Sequence, residues 1–242
     1  MKIVAKTDVG MVRESNQDSY TTGELPNGVA WAVVCDGMGG AAGGNVASST
    51  AVKVIAEQIT SSFRPGMSAN SIKNMMVSAI NAANISVYDI SCSNSELYGM
   101  GTTVVCAIVM EHTAYIAHAG DSRAYIVSHG TLTQLTRDHS VVQELVEHGK
   151  ITALEAKRHP NKNIITRAVG VSREILVDFC EQEMKDGDVL LLCTDGLTNF
   201  VESDEMCDLT KDDMFYEFAE RLVDRANKNG GGDNVTVVAV TY

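Results

Sequence analysis

Aspartates recur in this sequence where strands should end. Asp36 follows the run VAWAVVC and opens DGMGG, and Asp121 follows YIAHAG. Asp195 follows VLLLCT and opens a second Asp-Gly pair, while Asp233 stands in GGGDN immediately before VTVVAV. A further polar cluster, RESNQD from Arg13 to Asp18, precedes the first of these runs. Taken singly, an Asp-Gly pair after a strand reads as a turn, because glycine supplies positive φ and Asp bonds its own backbone. Taken together they carry chemistry. Strands of one sheet bring their ends together, and carboxylates gathered there repel one another unless something positive sits among them. Mg²⁺ and Mn²⁺ are hard cations that accept carboxylate, carbonyl and water oxygens. Neighbouring glycines let backbone carbonyls and a substrate approach closely. No Cys or His accompanies the aspartates at zinc-ligand spacing. A carboxylate centre of two such ions suits the hydrolysis of a phosphate ester.

The elements that must position these residues are short β-rich runs and a few periodic helices. Residues 29–35, 104–110, 113–119, 123–128, 189–193 and 235–241 read as strands. The Gly120–Ser122 turn between two of them predicts a hairpin, and Gly130 marks a second turn before residues 131–136. Successive hairpins favour antiparallel sheets over βαβ units. One helix is expected over 45–63, and a second on the stripe Ile72, Met75, Met76, Ala79, Ile80, Ala83, Val87 and Ile90. The third carries Met214, Phe215, Phe218, Ala219, Leu222, Val223 and Ala226, with Thr210 and Asp213 resembling a capping box at its start. Each helix has one apolar stripe and should cover a sheet face. The Met75–Met76 pair reads as core filler. No repeat or linker divides the chain, so one α+β domain is expected over residues 1–242.

Composition narrows the function classes. The 242 residues carry 31 acidic against 19 basic side chains, a formal net charge of −12. That balance argues against nucleic acid or an anionic membrane as the main partner. No apolar run approaches the ~20 residues of a spanning helix. Lys6 and Asp8 interrupt the N-terminus before a secretory signal could form. Cysteines at 35, 92, 106, 180, 193 and 207 show no C-x-x-C pairing. Reduced core thiols in a cytoplasmic protein are the expectation.

Seven blocks make the chain resemble the compact bacterial form of the PP2C-type (PPM) metal-dependent protein serine/threonine phosphatases. They are TDVGMVRESNQDS, VVCDGMGG, GMGTT, AGDSRAY, LTRDHSVVQEL, LCTDGLTN and GGDNVTVV, in family order from residue 7 to residue 238. The resemblance implies a four-layer α-ββ-α sandwich of two antiparallel sheets flanked by helices. It implies two Mn²⁺ or Mg²⁺ ions held by Asp36, the Gly37 carbonyl, Asp195 and Asp233, with Asp18 and Gln17 nearby or acting through water. Asp121, with Asp195, matches the position of an additional ion, and Arg13 matches the phosphate-binding arginine. The implied reaction is direct, in-line hydrolysis of phosphoserine and phosphothreonine by a hydroxide bridging the ions, with Arg13, Asp36, Asp195 and Asp233 as the catalytic set. A bacterial Ser/Thr kinase is the implied opposing partner, and a monomer the implied state.

Two positions depart from the family's animal members: Met38 replaces a His proposed to protonate the leaving oxygen, and Asn199 replaces an Asp that helps hold an additional ion. A thioether donates no proton, and an amide is a weaker ligand. Residues from about 137 to 168 align with a mobile flap and carry six basic against four acidic side chains. They read as a solvated helical excursion, or as a locally positive surface that draws in phosphopeptides. His112, His118 and His129 read as structural, and Arg123 as a fold-locking neighbour of Asp121. Two alternatives stand beside the phosphatase: a pseudophosphatase that binds phosphoproteins, and a phosphatase acting on an anti-sigma-factor antagonist.

Overall fold

Alternation along the central strands sorts the apolar side chains into three cores. The computed structural model describes residues 1–210 and 215–242, with the side chains of residues 41 and 42 left aside. In it the chain forms β1 (Lys2–Asp8), β2 (Asp18–Leu25), β3 (Val29–Met38), α1 (Gly40–Ser62) and α2 (Ala69–Ser93). Then follow β4 (Gly101–Thr102), β5 (Val104–Met110), β6 (Thr113–Ala119), β7 (Arg123–Ser128) and β8 (Thr131–Gln134). Two short helices, α3 (Val141–Glu147) and α4 (Ala153–Ala156), precede β9 (Asp178–Glu183) and β10 (Val189–Cys193). The chain closes with α5 (Asp195–Thr198), α6 (Ser203–Leu209), α7 (Phe218–Lys228) and β11 (Val235–Thr241).

Among the described residues the strands form two antiparallel sheets. The first has the order β1-β11-β10-β7-β8; the second runs β2-β3-β5-β6-β9, with β4 pairing the end of β3. Ala32, Val34, Val105 and Ala107 meet Ile126, Leu190, Leu192 and Val238 between the sheets. On the opposite faces Val33, Cys35 and Cys106 pack under α1 and α2, while Leu191, Cys193 and Val237 pack under α5, α6 and α7. Strands buried on both faces lose the usual apolar-polar alternation, which is why β3, β5 and β10 read as continuous apolar runs. The architecture is the α+β, four-layer α-ββ-α sandwich. Met76 is fully buried and Met75 nearly so, both as core filler.

The chain departs from expectation in three places. The Gly120–Ser122 turn makes no hairpin, because β6 belongs to the second sheet and β7 to the first. Ala124 and Ile126 satisfy the inter-sheet core only if the chain crosses over at this turn, and Asp121 therefore stands where the sheets meet. The first helix begins at Gly40, five residues before the apolar pattern starts, because packing against β3 and β4 outweighs the poor helix propensity of its glycines. The last helix begins at Phe218 after a 3₁₀ turn, Phe215–Glu217. Thr210 closes α6 instead, donating from its hydroxyl to the Cys207 carbonyl at 2.6 Å, while Asp213 and Met214 lie outside the described residues. Among the described residues no helix is long and apolar enough to cross a membrane.

Candidate active site

A cleft of about 830 Å³ opens where β3 and β10 end, β11 begins and the β6–β7 crossover passes. Asp36, Asp121, Asp195 and Asp233 all line it, with Arg13, Gln17, Gly37 and Met38. Asp18 lies buried beneath, opposite Asp36 in the β2–β3 register. The fold therefore gathers Asp18, Asp36, Asp121, Asp195 and Asp233 into one place. Gly196 makes this possible on the β10 side: a Cβ there would stand 1.8 Å from the Asn234 carbonyl oxygen. Only glycine lets the chain after Asp195 pass so close to the chain after Asp233.

The electrostatics are those of crowded carboxylates. Burial, and then the negative charges of Asp18, Asp195, Asp121 and Asp233, push the Asp36 carboxyl well above its usual range. Burial likewise pushes Asp18 and Asp121 up to about 7, and it raises Asp195, where Asp233 adds repulsion. Two oxygens, Asp18 Oδ1 and Asp195 Oδ1, are buried without a hydrogen-bond partner. Orphaned anionic oxygens in an all-oxygen donor set fit divalent cations of the Mg²⁺ or Mn²⁺ kind, which relieve the repulsion and keep several waters. The other Asp18 oxygen accepts from Thr194 Oγ1 at 2.9 Å and from Thr236 Oγ1 at 2.7 Å, so this carboxylate is fixed in direction.

Among the described residues Arg13 is the one cation lining this cleft. Its guanidinium donates to Asp233 Oδ2 at 2.9 Å and remains half exposed, with further N–H groups open to the cleft. The loop that carries it is fixed by Asn234. That buried amide accepts from the Gln17 N–H and donates to the Val9 and Ser15 carbonyls, each at 2.9 Å. Thr103 Oγ1 accepts from the Asp36 N–H at 2.9 Å and shares a hydrogen with Ser122 Oγ at 2.7 Å, tying β3 to the crossover. Nothing in the sequence pattern singles out Asn234, Thr103, Thr194 or Thr236, beyond their places in the recurring blocks.

Asn199 does not face an ion position as a bare acceptor. Its Nδ2 donates to Asp195 Oδ2 at 2.9 Å. Arg123 is indeed fold-locking: it forks onto Asp138 at 2.6 and 2.8 Å and donates to Tyr125 Oη at 3.0 Å. A second cleft of about 260 Å³ adjoins the first, sharing Asp121 and Asp195 and lined also by Lys157 and Lys162. Lys157 Nζ, however, meets Glu202 Oε2 at 2.5 Å, so part of the expected positive charge is neutralised.

Known proteins match this sequence and fold over nearly the whole chain. The family model described as protein phosphatase 2C matches residues 12–236. The serine/threonine phosphatase stp of Listeria welshimeri is 39% identical over 236 residues, covering 97% of this chain and 93% of that protein. The S. agalactiae serine/threonine phosphatase superposes with a TM-score of 0.93 at 32% identity, covering 100% of this chain and 99% of that one. The catalytic domain of the serine threonine protein phosphatase PstP, solved in complex with two manganese ions, gives 0.85 at 33% identity over 98% and 96% of the two chains. With sequence and fold both matched end to end around an aspartate-lined cleft, the chain belongs to the protein phosphatase 2C family of metal-dependent serine/threonine phosphatases.

Proposed function

We propose that this cleft hydrolyses phosphoserine and phosphothreonine in proteins in a single displacement, with two Mn²⁺ or Mg²⁺ ions bound. Asp36, the Gly37 carbonyl, Asp195 and Asp233 would hold the pair, Asp18 would support them from beneath, and Asp121 with Asp195 would take an additional ion. Bound there, such ions supply an acidified water and a positive field for phosphoryl oxygens. The observation that carries the reading is the convergence of Asp36, Asp121, Asp195 and Asp233 on one cleft that Arg13 also lines.

The chain's own groups do the rest. Arg13 presents a planar fork of N–H donors that matches phosphoryl oxygens in binding and as charge redistributes. Asp233 aims that fork and strengthens its hold on its proton. Met38 lines the cleft but has no proton to give, so the proton for the leaving alkoxide comes from metal-bound water or from another group. Residues 137–168 act as a flap that lines the second cleft, where Lys162 favours acidic phosphopeptides. A bacterial Ser/Thr kinase and its substrates are the partners that the family relationship supports, met by a monomer.

The test is hydrolysis of a phosphothreonine peptide by the purified chain with Mn²⁺, with Mg²⁺ and with excess chelator, beside Asp195→Ala. Turnover should need added metal and fall by at least about a hundredfold in the variant, the scale of losing a group that stabilises transition-state charge. A folded protein that binds the peptide without turning it over under any metal would make it a phosphoprotein-binding module instead.

A further inference from the structure

Beyond the cleft, one buried cluster touches the turn that presents Asp121. We infer that His139 is a positioning residue for Asp121: its ring holds the Gly120 amide and so sets where the adjoining carboxylate points. The inference rests on the reading of Asp121 as a ligand for the additional ion.

Gly120 is pinned twice by the same residue. Its N–H donates to His139 Nδ1 at 3.0 Å, and its carbonyl accepts from the His139 N–H at 2.9 Å. The glycine sits at φ +118°, and a Cβ there would stand 2.7 Å from the Thr103 side chain. The crossover from β6 to β7 thus turns on a peptide wedged between Thr103 and a histidine that is 1% exposed. Because an amide N–H only donates, Nδ1 must offer its lone pair and the ring proton must sit on Nε2. That proton is given to Asp178 Oδ2 at 3.1 Å, and the other Asp178 oxygen accepts from Arg167 at 2.7 Å.

His118 lies flat against the same ring, with centroids 4.8 Å apart and planes within 4°. Its Nε2 donates to the Arg137 carbonyl at 2.9 Å, and its Nδ1 is buried without a partner. His118, His139 and Asp178 have ligand-capable atoms within 4.8 Å of one another, the geometry of a cation site. The hydrogen bonding speaks against one. A neutral imidazole that ligates through Nε2 carries hydrogen on Nδ1, where the Gly120 N–H already points. The cluster is a clamp.

It clamps both ends of the flap as well. The Thr166 N–H donates to the His139 carbonyl at 2.7 Å and the Val141 N–H to the Ile164 carbonyl at 2.9 Å. His118 from β6, Asp178 from β9, and Arg137, Asp138 and Arg167 from the flap's two roots surround the ring. Burial holds both imidazoles below the ordinary histidine range, which keeps the Nδ1 lone pair available near neutral pH.

Two near-isosteres separate the two ring contacts. Asn places its carbonyl oxygen near the Nδ1 position and keeps the Gly120 contact; Gln reaches Asp178 but gives the amide up. Mn²⁺ binding would be measured by equilibrium dialysis and calorimetry on wild type, His139→Asn, His139→Gln and Asp121→Asn, with thermal melts on each. Asp121→Asn should lose the weakest-bound ion. His139→Gln should weaken that same ion about tenfold and leave the tighter pair alone, as loss of a ligand's supporting partner does. His139→Asn should stay within about twofold of wild type. If His139→Gln does not fold, His139→Leu, which fills the space and accepts nothing, carries the same expectation. Wild-type binding in the Gln variant, or equal weakening by Asn and Gln, would overturn the positioning role. Full ion binding by Asp121→Asn would instead overturn Asp121 as a ligand, and the inference with it.

Discussion

Arg13 spends one of its five N–H donors on Asp233, at 2.9 Å, and in the proposed reaction the others serve the substrate. That division explains why its charge alone is not enough. A lysine at this position could still neutralise Asp233 or a phosphoryl group, but not both in fixed geometry. Arg13→Lys should therefore lower kcat/KM for a phosphopeptide by roughly 10- to 100-fold, the equivalent of one charged hydrogen bond of about 1.5–3 kcal/mol. If Arg13 contacts the transferring group as proposed, kcat should fall along with binding. An unchanged kcat with only a raised KM would mean that Arg13 contributes attraction and no transition-state contact.

The loop from β1 to β2 is what holds Arg13 out over the cleft, and the buried Asn234 amide ties three points of that loop together. Asn234 replaces three solvent hydrogen bonds of that loop with its own, to Gln17, Val9 and Ser15. Asn234→Ala leaves those backbone groups unpaired, at a cost of about 1–3 kcal/mol. For a chain of this length that is a fall in Tm of roughly 2–12 °C. The KM for phosphopeptides should rise too, since Arg13 loses its platform; a lowered Tm with unchanged KM would confine Asn234 to stability. This dependence could not be read along the chain. The central strands could, because β3, β5 and β10 are covered on both faces and show as apolar runs. β1 and β2 escaped because they are half-buried edge strands, with sequences KIVAKTD and DSYTTGEL that carry little pattern. The strand-end aspartates were visible as a recurring type. Which ones meet depends on β11 lying between β1 and β10, and on the crossover at Gly120, and both are matters of long-range pairing. Polar residues inside apolar strands, such as Thr236, look like interruptions until the buried carboxylate beneath them is known.

At the scale of the whole molecule, the cleft is a store of repulsion that the fold must hold in place. Asp18 and Asp121 are pushed up to about 7, and Asp36 and Asp195 are raised as well, by burial first and by one another second. A carboxyl raised in the folded state binds more protons there than in the unfolded chain, whose aspartates titrate near 3.9. Its contribution to stability is complete below that value and is lost as pH rises through the folded value. His118 and His139 act in the opposite sense, since both are lowered on folding; their contribution grows as pH rises through about 6.5, where unfolded histidine is half protonated, and is nearly complete by pH 8. Between pH 6.5 and pH 8 the two histidines still add a little stability, as their unfolded imidazoles lose the remaining half of their protons, and the four raised aspartates lose more. The protein kept in chelator should therefore lose Tm across that interval. In the proposed reading added Mn²⁺ reverses the sign of the problem, because the carboxylates that repel one another would become ligands. At a hundred times its dissociation constant one ion adds about 2.7 kcal/mol. For a chain of this size that is a rise of roughly 5–11 °C per ion, larger at pH 8 than at pH 6.5. Thermal melts in chelator and in Mn²⁺ at the two pH values measure both effects, and a chelated protein whose Tm is flat or rising across the interval would mean the cleft aspartates are not held in repulsion.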